Sequence, residues 1–275
     1  YSSNDSISKM QSLNEASNYI EEQEMNTTKI RMLEFFSGIG GMRLSLEKAL
    51  LLLNKDADKT NKTYALESCR AYDISLHANN VYHHNFCSDT NNNNNNNDSV
   101  CTKLVEQLKP KDIAPLHANL WTMSPPCQPF TTSGEGRGKQ RLDATDKRCN
   151  GLKGIAKLLD TLEPGDKPKW ILLENVKGFR DSAMCEIWCD CLRRNGYSYR
   201  SFVLSPVEFG IPNHRTRYYL LAERNSQRWS NNEDNFSHDE TAVSDGEEIR
   251  PTLSVHGISS LSAHEEFAKR PIYTV

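Results

Sequence analysis

The sequence lacks a long apolar segment, a paired-cysteine pattern and an excess of positive charge. Residues 1–29 are polar and acidic and contain no continuous apolar stretch, so we expect a polar extension rather than a signal peptide or a membrane anchor. The eight cysteines form no CxxC pair, which argues against a zinc site and against a disulfide framework. We therefore expect an intracellular protein of the cytoplasm or nucleus, without a membrane-spanning segment or a metal.

The charge balance limits the kind of nucleic-acid surface that the protein could carry. A formal net charge of -3 argues against a nonspecific nucleic-acid binder, because phosphate contacts need Lys and Arg. Such a surface must therefore be a local patch. The segment from Arg137 to Arg148 is rich in Lys and Arg and is a candidate; a solvated loop that binds nothing is the alternative.

The order of apolar patterns along the chain predicts alternating strands and helices. Residues 30–36 are typical of a buried strand, the turn SGIGGM follows, and residues 43–53 have helical apolar spacing. Further strands are predicted near 62–72, 120–123, 170–173, 199–204 and 217–222, and further helices at 76–86, 152–162 and 183–195. This alternation predicts an α/β fold with a doubly wound, mostly parallel sheet that binds ligands at the carboxyl ends of its strands.

The chain of 275 residues is long enough for one large domain with appendages. Residues 1–29 are predicted to be the polar extension, and residues 30–225 the main domain. Residues 226–275 show no strong periodicity and are expected to be part of a further region. The Asn-rich residues 88–99 cannot bury apolar area, so we expect them to form a disordered surface insertion.

The turn after the first strand is a candidate cofactor site. Glycines at 38, 40 and 41 let the backbone approach a ligand where the following helix begins, which favours an adenosine-type cofactor. A purely structural tight turn is the alternative. Asp73 lies one strand-helix-strand step later and could accept hydrogen bonds from ribose hydroxyls; as an alternative, it could cap a helix.

Three further motifs carry groups with catalytic potential. In SPPCQPF, Cys127 follows two prolines that stiffen its loop, which favours a nucleophile over a buried inert thiol. Glu174 ends an apolar strand, where burial can favour the protonated carboxyl group; an exposed or ion-paired Glu is the alternative. Arg215 and Arg217 are two residues apart and so share one face of an extended segment. Both could point towards one target; surface ion pairs are the alternative.

The motifs FSGIGG, SPPCQPFT, LLENVKGF and FGIPNHRTRYY, in this order, resemble the successive motifs of the cytosine-C5 methyltransferase family. Within that family the sequences of these motifs are similar to those of the branch related to DNA methyltransferases that acts on cytosine 38 of aspartate tRNA. Enzymes acting on DNA share the first cue of that branch, MSPPCQPFT, and the third, ILLENVKGF. The second cue, DATDKRCN, and the fourth, IPN followed by RTRYYLLA, therefore favour tRNA as the substrate.

The resemblance implies a Rossmann-like methyltransferase fold that uses S-adenosylmethionine, followed by the start of a small target-recognition domain. It implies that the catalytic residues are Cys127, Glu174, Arg217 and Arg215. The cofactor would be held by Phe36, Ser37, Gly38, Gly40, Gly41, Met42, Asp73 and Pro126. The target base would meet Gln128, Phe130, Asn175 and Val176.

Two other functions are compatible with the sequence. The first is a DNA cytosine-C5 methyltransferase with the same active site, which methylation assays on DNA and tRNA would distinguish. The second is a catalytically inactive relative that binds cofactor or RNA. The presence of every expected catalytic residue type argues against the second.

Overall fold

The structure, a computed structural model, describes residues 27–55, 62–87, 98–130 and 143–225. Three of the segments singled out from the sequence lie outside these ranges. They are residues 1–26 of the polar extension, residues 88–97 of the Asn-rich stretch, and all of 226–275. Half of the basic segment, residues 137–142, also lies outside; Lys147 and Arg148 are described and are exposed.

Within the described ranges, seven strands form one sheet with the spatial order β3-β2-β1-β4-β5-β7-β6. The strands are β1 Thr27–Phe35, β2 Thr63–Tyr72, β3 Ser99–Cys101, β4 Leu120–Met123, β5 Trp170–Val176, β6 Tyr197–Leu204 and β7 Arg217–Arg224. All neighbouring pairs are parallel except those of β7, which runs antiparallel to both β5 and β6. The prediction of a doubly wound, mostly parallel sheet is thereby confirmed.

Helices connect the parallel strands. They are α1 Gly41–Lys55, α2 Leu76–Phe86, the single-turn α3 Pro110–Ile113, α4 Asn150–Thr161 and α5 Ala183–Arg194. The four longer helices follow β1, β2, β4 and β5 as the sequence pattern predicts. In the described part of the chain, no helix is long and apolar enough to cross a membrane.

The first strand begins earlier than the sequence pattern indicated. The predicted boundary at residue 30 is wrong by three residues, because Thr27 already pairs with β2. Its hydroxyl lies 2.6 Å from that of Thr63. A hydrogen-bonded polar pair extends the ladder beyond the apolar run, and apolar spacing does not reveal such a pair.

The structure describes two residues of the predicted Asn-rich insertion. Asp98 and Ser99, counted within it from the sequence, belong to ordered structure. Ser99 begins β3 beside Arg70, and the Asp98 carboxylate accepts hydrogen bonds from the Cys69 N–H at 2.7 Å and from the Arg43 guanidinium at 2.7 Å. A buried ion pair holds this end of the stretch in place.

Alternate residues of the central strands face two different packed layers. Leu33 and Phe35 of β1 join the main core beneath α4 and α5, together with Trp121 and Trp188. Met32 and Glu34 are equally buried but point to the opposite face of the strand. Burial on both faces explains why the strand sequence is nearly continuous in apolar residues.

A core substitution tests this packing. Leu159 of α4 is 0% exposed and belongs to the main core, so Leu159→Ala should lower the free energy of unfolding by ~2–5 kcal/mol through lost burial and a cavity. Leu51 of α1 is 59% exposed, and Leu51→Ala should change it by less than ~0.5 kcal/mol. Urea unfolding of both variants measures the difference; equal effects would contradict the assigned packing.

Candidate active site

The motif residues meet at one edge of the sheet. Phe35 at the end of β1 is in register with Tyr72 of β2 and Met123 of β4, and Met123 is in register with Leu173 of β5. The loops that follow these residues therefore leave the sheet side by side. The antiparallel β7 starts at the same edge, because Arg217 pairs with Val176.

Residues 36–42, which comprise the loop after β1 and the first two residues of α1, are called the glycine turn below. Phe36, Gly38 and Gly40 have positive φ values of 56°, 53° and 94°, and the Gly40 N–H donates to the Ser37 carbonyl at 2.9 Å. Glycine has little steric cost at positive φ, whereas Phe36 is strained there. The turn thus reverses the chain tightly between β1 and α1.

Asp73, at the end of β2, is bonded to the glycine turn. Its carboxylate accepts hydrogen bonds from the Gly38 N–H at 2.8 Å and from the Ser75 N–H at 2.7 Å. The N-cap of α2 is Ser75, whose hydroxyl accepts from the Ala78 N–H, so the alternative of Asp73 as a helix cap does not hold. The predicted contact of Asp73 with a ribose stays a prediction.

The space around the glycine turn differs from one glycine to the next. A Cβ added at Gly38 or Gly41 would meet no atom within 4 Å, whereas one at Gly40 would lie 2.3 Å from the Phe86 ring. Gly40 is therefore needed for packing against α2, and Gly38 and Gly41 border open space. The buried hydroxyl oxygen of Ser37 has no hydrogen-bond partner in the structure.

The Cys127 loop is attached directly to the glycine turn. The Ser124 hydroxyl donates to the Phe36 carbonyl at 3.0 Å. Cys127 itself is half-buried, and its carbonyl accepts from the Phe130 N–H at 2.9 Å, which closes a single helical turn. The thiol is thus carried on a short loop between two anchored ends.

The last residues of β5 and the segment that follows it anchor the other side of this loop. The buried Asn175 amide donates to the Pro125 carbonyl at 3.1 Å, and its oxygen accepts from the Val176 N–H at 2.8 Å. Gly178 packs so closely that an added Cβ would lie 2.3 Å from the Phe130 carbonyl oxygen. Asn175, predicted to contact substrate, is bonded within the protein here, and that contact stays a prediction.

Glu174 and Arg217 form an ion pair at this edge, with Nε and Oε1 3.2 Å apart and side chains 19% and 25% exposed for Arg217 and Glu174 respectively. Burial raises the pKa of the Glu174 carboxyl group, while the charges of Arg217 and Arg215 lower it. Burial has the larger effect, so the carboxyl group holds its proton more readily than an exposed Glu does. Such a group can share a proton with a bound base.

The remaining predicted site residues lie at the same edge and differ in exposure. Gln128 and Arg215 are exposed, Pro126 and Val176 are half-buried, and Phe130 is buried. The Phe130 ring packs edge-on against Phe179, with centroids 5.0 Å apart. Phe130 therefore stabilises the Cys127 loop and also lies at the edge of the sheet where the site residues meet.

Glu34 and Tyr82 were not identified from the sequence. Glu34 of β1 is 0% exposed and accepts hydrogen bonds from the Arg43 N–H at 3.3 Å and the Tyr82 hydroxyl at 3.1 Å. Burial raises the pKa of Glu34 to about 7, against the lowering effect of these bonds. A carboxyl group inside the apolar run IRMLEFF was the one signal that could have indicated it.

The cysteines of α5 are buried in the protein, and the histidines of α2 are exposed. Cys185, Cys189 and Cys191 are buried in α5, and the Cys185 sulfur lies 3.6 Å from the Tyr218 hydroxyl. His77, His83 and His84 are exposed on α2. Within the described ranges no group of three His, Cys, Asp or Glu could hold a metal ion.

Residues 30–266 match the family model of the C-5 cytosine-specific DNA methylases. The chain belongs to this family. A tRNA (cytosine(38)-C(5))-methyltransferase of Spodoptera frugiperda is 38% identical over 199 residues, which are 72% of this chain and 51% of the relative. The chain thus spans about half the length of the curated relatives it matches.

Two solved structures share the fold of this family member. The Entamoeba histolytica methyltransferase EhMeth superposes with a TM-score of 0.57 at 32% identity, covering 71% of this chain and 53% of its own. The S. pombe Dnmt2 methyltransferase gives a TM-score of 0.55 at 32% identity, covering 73% and 51%. These neighbours agree with the predicted Rossmann-like methyltransferase fold.

The contact between Gly178 and Phe130 can be tested by adding one methyl group. Gly178→Ala should lower the free energy of unfolding by ~1–3 kcal/mol, because the clash is with a backbone oxygen that cannot rotate away. Gly165→Ala is the matched control, since its Cβ would meet nothing within 4 Å. Chemical denaturation of both proteins gives the answer, and an unaffected Gly178→Ala protein would show that the two loops are not in contact.

The buried Glu34 should make stability depend on pH. Its carboxyl group has a pKa of about 7 when folded and an ordinary value of 4.5, so the unfolded chain releases the proton first. The contribution of Glu34 to the free energy of unfolding is then fully present below pH 4.5 and is lost as the pH rises to 7. The loss amounts to up to ~3 kcal/mol. In Glu34→Gln this fall should disappear.

Urea unfolding between pH 4 and 8 measures the effect. The exposed Glu163→Gln variant is the control and should follow the wild-type curve. A wild-type stability that is flat or rises through this range relative to Glu34→Gln would contradict the expected titration.

Proposed function

We propose that this chain is the catalytic part of an enzyme that transfers a methyl group from S-adenosylmethionine to C5 of cytosine in RNA, at cytosine 38 of aspartate tRNA. The proposal rests mainly on one observation. The glycine turn, the Cys127 loop and the Glu174–Arg217 pair lie side by side at one edge of the sheet. In this proposal, residues 30–225 form the catalytic domain and residues 226–275 begin a target-recognition region.

The glycine turn fits a nucleoside-containing methyl donor. Gly38 and Gly41 border open space, and Ser37 offers a buried hydroxyl without a partner in the structure. Asp73 uses its carboxylate to fix the turn, and a carboxylate has further lone pairs for ribose hydroxyls. S-adenosylmethionine, when bound there, supplies an electrophilic methyl group.

Cys127 is the proposed nucleophile. Cytosine C5 is unreactive towards an electrophile until a nucleophile adds at C6, so the thiolate sulfur of Cys127 forms a bond to C6. The prolines before it and the tie between Ser124 and the glycine turn hold the sulfur on a stiff loop beside the donor site. The addition makes C5 electron-rich and ready to take a methyl group.

Glu174 and Arg217 are the proposed polar partners of the base. The raised pKa of Glu174 lets its carboxyl group donate a proton to N3 while accepting from the exocyclic amine, which would reject uracil because its N3 and C4 groups have the opposite pattern. Arg217, with Arg215 nearby, would stabilise the charge that develops at O2. Release of the C5 proton then expels the sulfur and restores Cys127.

The preference for RNA is supported by relatives rather than by geometry. The Spodoptera frugiperda relative is named for cytosine 38 of tRNA, whereas the family model is described as a DNA methylase. A base in a single-stranded loop reaches a recessed site without the unpairing that a duplex requires. DNA methylation is the second candidate, and a substrate in either nucleic acid would place the protein in the cytoplasm or nucleus.

Methyl transfer by the full-length protein tests the proposal. Labelled S-adenosylmethionine is offered with an unmodified aspartate tRNA transcript, with the same transcript carrying uracil at position 38, and with DNA. We expect label only in the first. Cys127→Ala should reduce the rate by roughly 10⁴-fold or more, as loss of a nucleophile does elsewhere.

Cys87→Ala is the matched control, because Cys87 is also half-buried but follows α2, which leads away from this edge of the sheet. It should keep the wild-type rate. Label in DNA but not in tRNA would favour the DNA enzyme. Absence of label in every substrate, with S-adenosylmethionine still bound, would favour an inactive cofactor- or RNA-binding relative.

A further inference from the structure

A buried polar cluster joins the glycine turn to helix α2. It consists of Glu34, Arg43, Cys69, Tyr82 and Asp98, called the Glu34 cluster below. Its members come from β1, α1, β2, α2 and the residue before β3. None of them belongs to the motifs that suggested the chemistry, and each contacts at least one other member.

Glu34 fixes where α1 begins. The helix starts at Gly41, the sixth residue after Phe35, and its first-turn Arg43 N–H donates to the Glu34 carboxyl group at 3.3 Å. First-turn N–H groups have no partner within a helix, so a carboxyl group from the neighbouring strand acts as their cap. The two ends of the glycine turn are thereby connected across the turn.

Tyr82 restrains the glycine turn in two ways. Its hydroxyl donates to Glu34 at 3.1 Å and lies 3.3 Å from the Cys69 sulfur. Its ring, with that of Phe86, leaves room at Gly40 for a hydrogen atom only, since an added Cβ would lie 3.0 Å from Tyr82 and 2.3 Å from Phe86. The side chain therefore restrains the turn both directly and through Glu34.

Arg43 and Asp98 complete the cluster from the other side. The Arg43 guanidinium bonds Glu47 at 2.9 Å and Asp98 at 2.7 Å and lies 4.5 Å from the centroid of the Phe86 ring. Asp98 also accepts from the Cys69 N–H. The cluster is thus anchored on two strands and two helices, and the glycine turn is attached to a rigid support rather than to solvent.

From this geometry we infer that Glu34 and Tyr82 are positioning residues for the methyl donor, holding residues 37–41 in the conformation that receives it. The inference rests on the proposed function of the glycine turn. Neither side chain borders the open space at Gly38 and Gly41, because both are 0% exposed. They act through the backbone of the turn and not by touching the donor.

The test compares two tyrosines in the full-length protein. Tyr82→Phe removes the hydroxyl and keeps the ring, and Tyr197→Phe is the matched control, because Tyr197 is also buried and donates one hydrogen bond, to the Pro168 carbonyl at 2.6 Å. Both variants should lose similar stability. In calorimetric titration with S-adenosylmethionine, only Tyr82→Phe should bind more weakly, by about 5-fold or more, as expected for one lost hydrogen bond to a carboxyl group.

Steady-state kinetics of Tyr82→Phe and donor binding by two Glu34 variants extend the test. In Tyr82→Phe the KM for the donor should rise while kcat at saturating donor stays within about twofold, because the reacting groups are unchanged. Glu34→Gln, which can still accept from the Arg43 N–H, should bind the donor better than Glu34→Ala. Equal donor affinity in wild type, Tyr82→Phe and Glu34→Ala would overturn the inference.

Hydrogen exchange separates this inference from the proposed function, because it needs no donor. Amides 38–43 should exchange faster in Tyr82→Phe than in Tyr197→Phe. If wild type binds no S-adenosylmethionine, the proposed function fails. Faster exchange would then still support restraint of the turn, whereas equal exchange in both variants would overturn that as well.

Discussion

Parallel pairing of β1 with β2 and β4, and of β4 with β5, brings the glycine turn, the Cys127 loop and Glu174 to one edge of the sheet. Neighbouring strands of a sheet lie about 5 Å apart, so the residues that follow paired strand ends leave the sheet close to one another. Two hydrogen bonds then fix the loops to one another, from Ser124 to Phe36 and from Asn175 to Pro125. These bonds, together with the packing of Phe130 against Phe179, support the loop that carries Cys127.

The antiparallel strand β7 contributes its first residue, Arg217, to this edge of the sheet. A parallel strand presents its carboxyl end at this edge, whereas β7 presents its beginning, and so brings Arg217 to Glu174. The burial that raises the pKa of Glu174 and the guanidinium that lowers it act in opposition on one carboxyl group. The result is a carboxyl group that binds a proton more readily than an exposed Glu does and lies beside a guanidinium.

Carboxyl groups of the protein itself accept hydrogen bonds from backbone N–H groups that could otherwise donate to a ligand. Asp73 bonds the Gly38 N–H and Glu34 the Arg43 N–H, so the glycine turn is held in place before any ligand binds. Such preorganisation reduces the ordering that binding requires. The open space beside the turn lies at Gly38 and Gly41, and the buried Ser37 hydroxyl has no hydrogen-bond partner in the structure.

The sequence by itself determined the sheet class, four of the longer strand-helix steps and the family motifs, because apolar periodicity and short motifs are local properties of the chain. It missed β3, the early start of β1 and the buried position of Glu34. The roles predicted for Cys127, Glu174 and the glycine turn stay predictions. Only the tertiary structure decided the contacts between Glu34 and Tyr82, 48 residues apart, and between Asn175 and Pro125, 50 apart. Such pairs depend on how the sheet is assembled, and no local pattern encodes them.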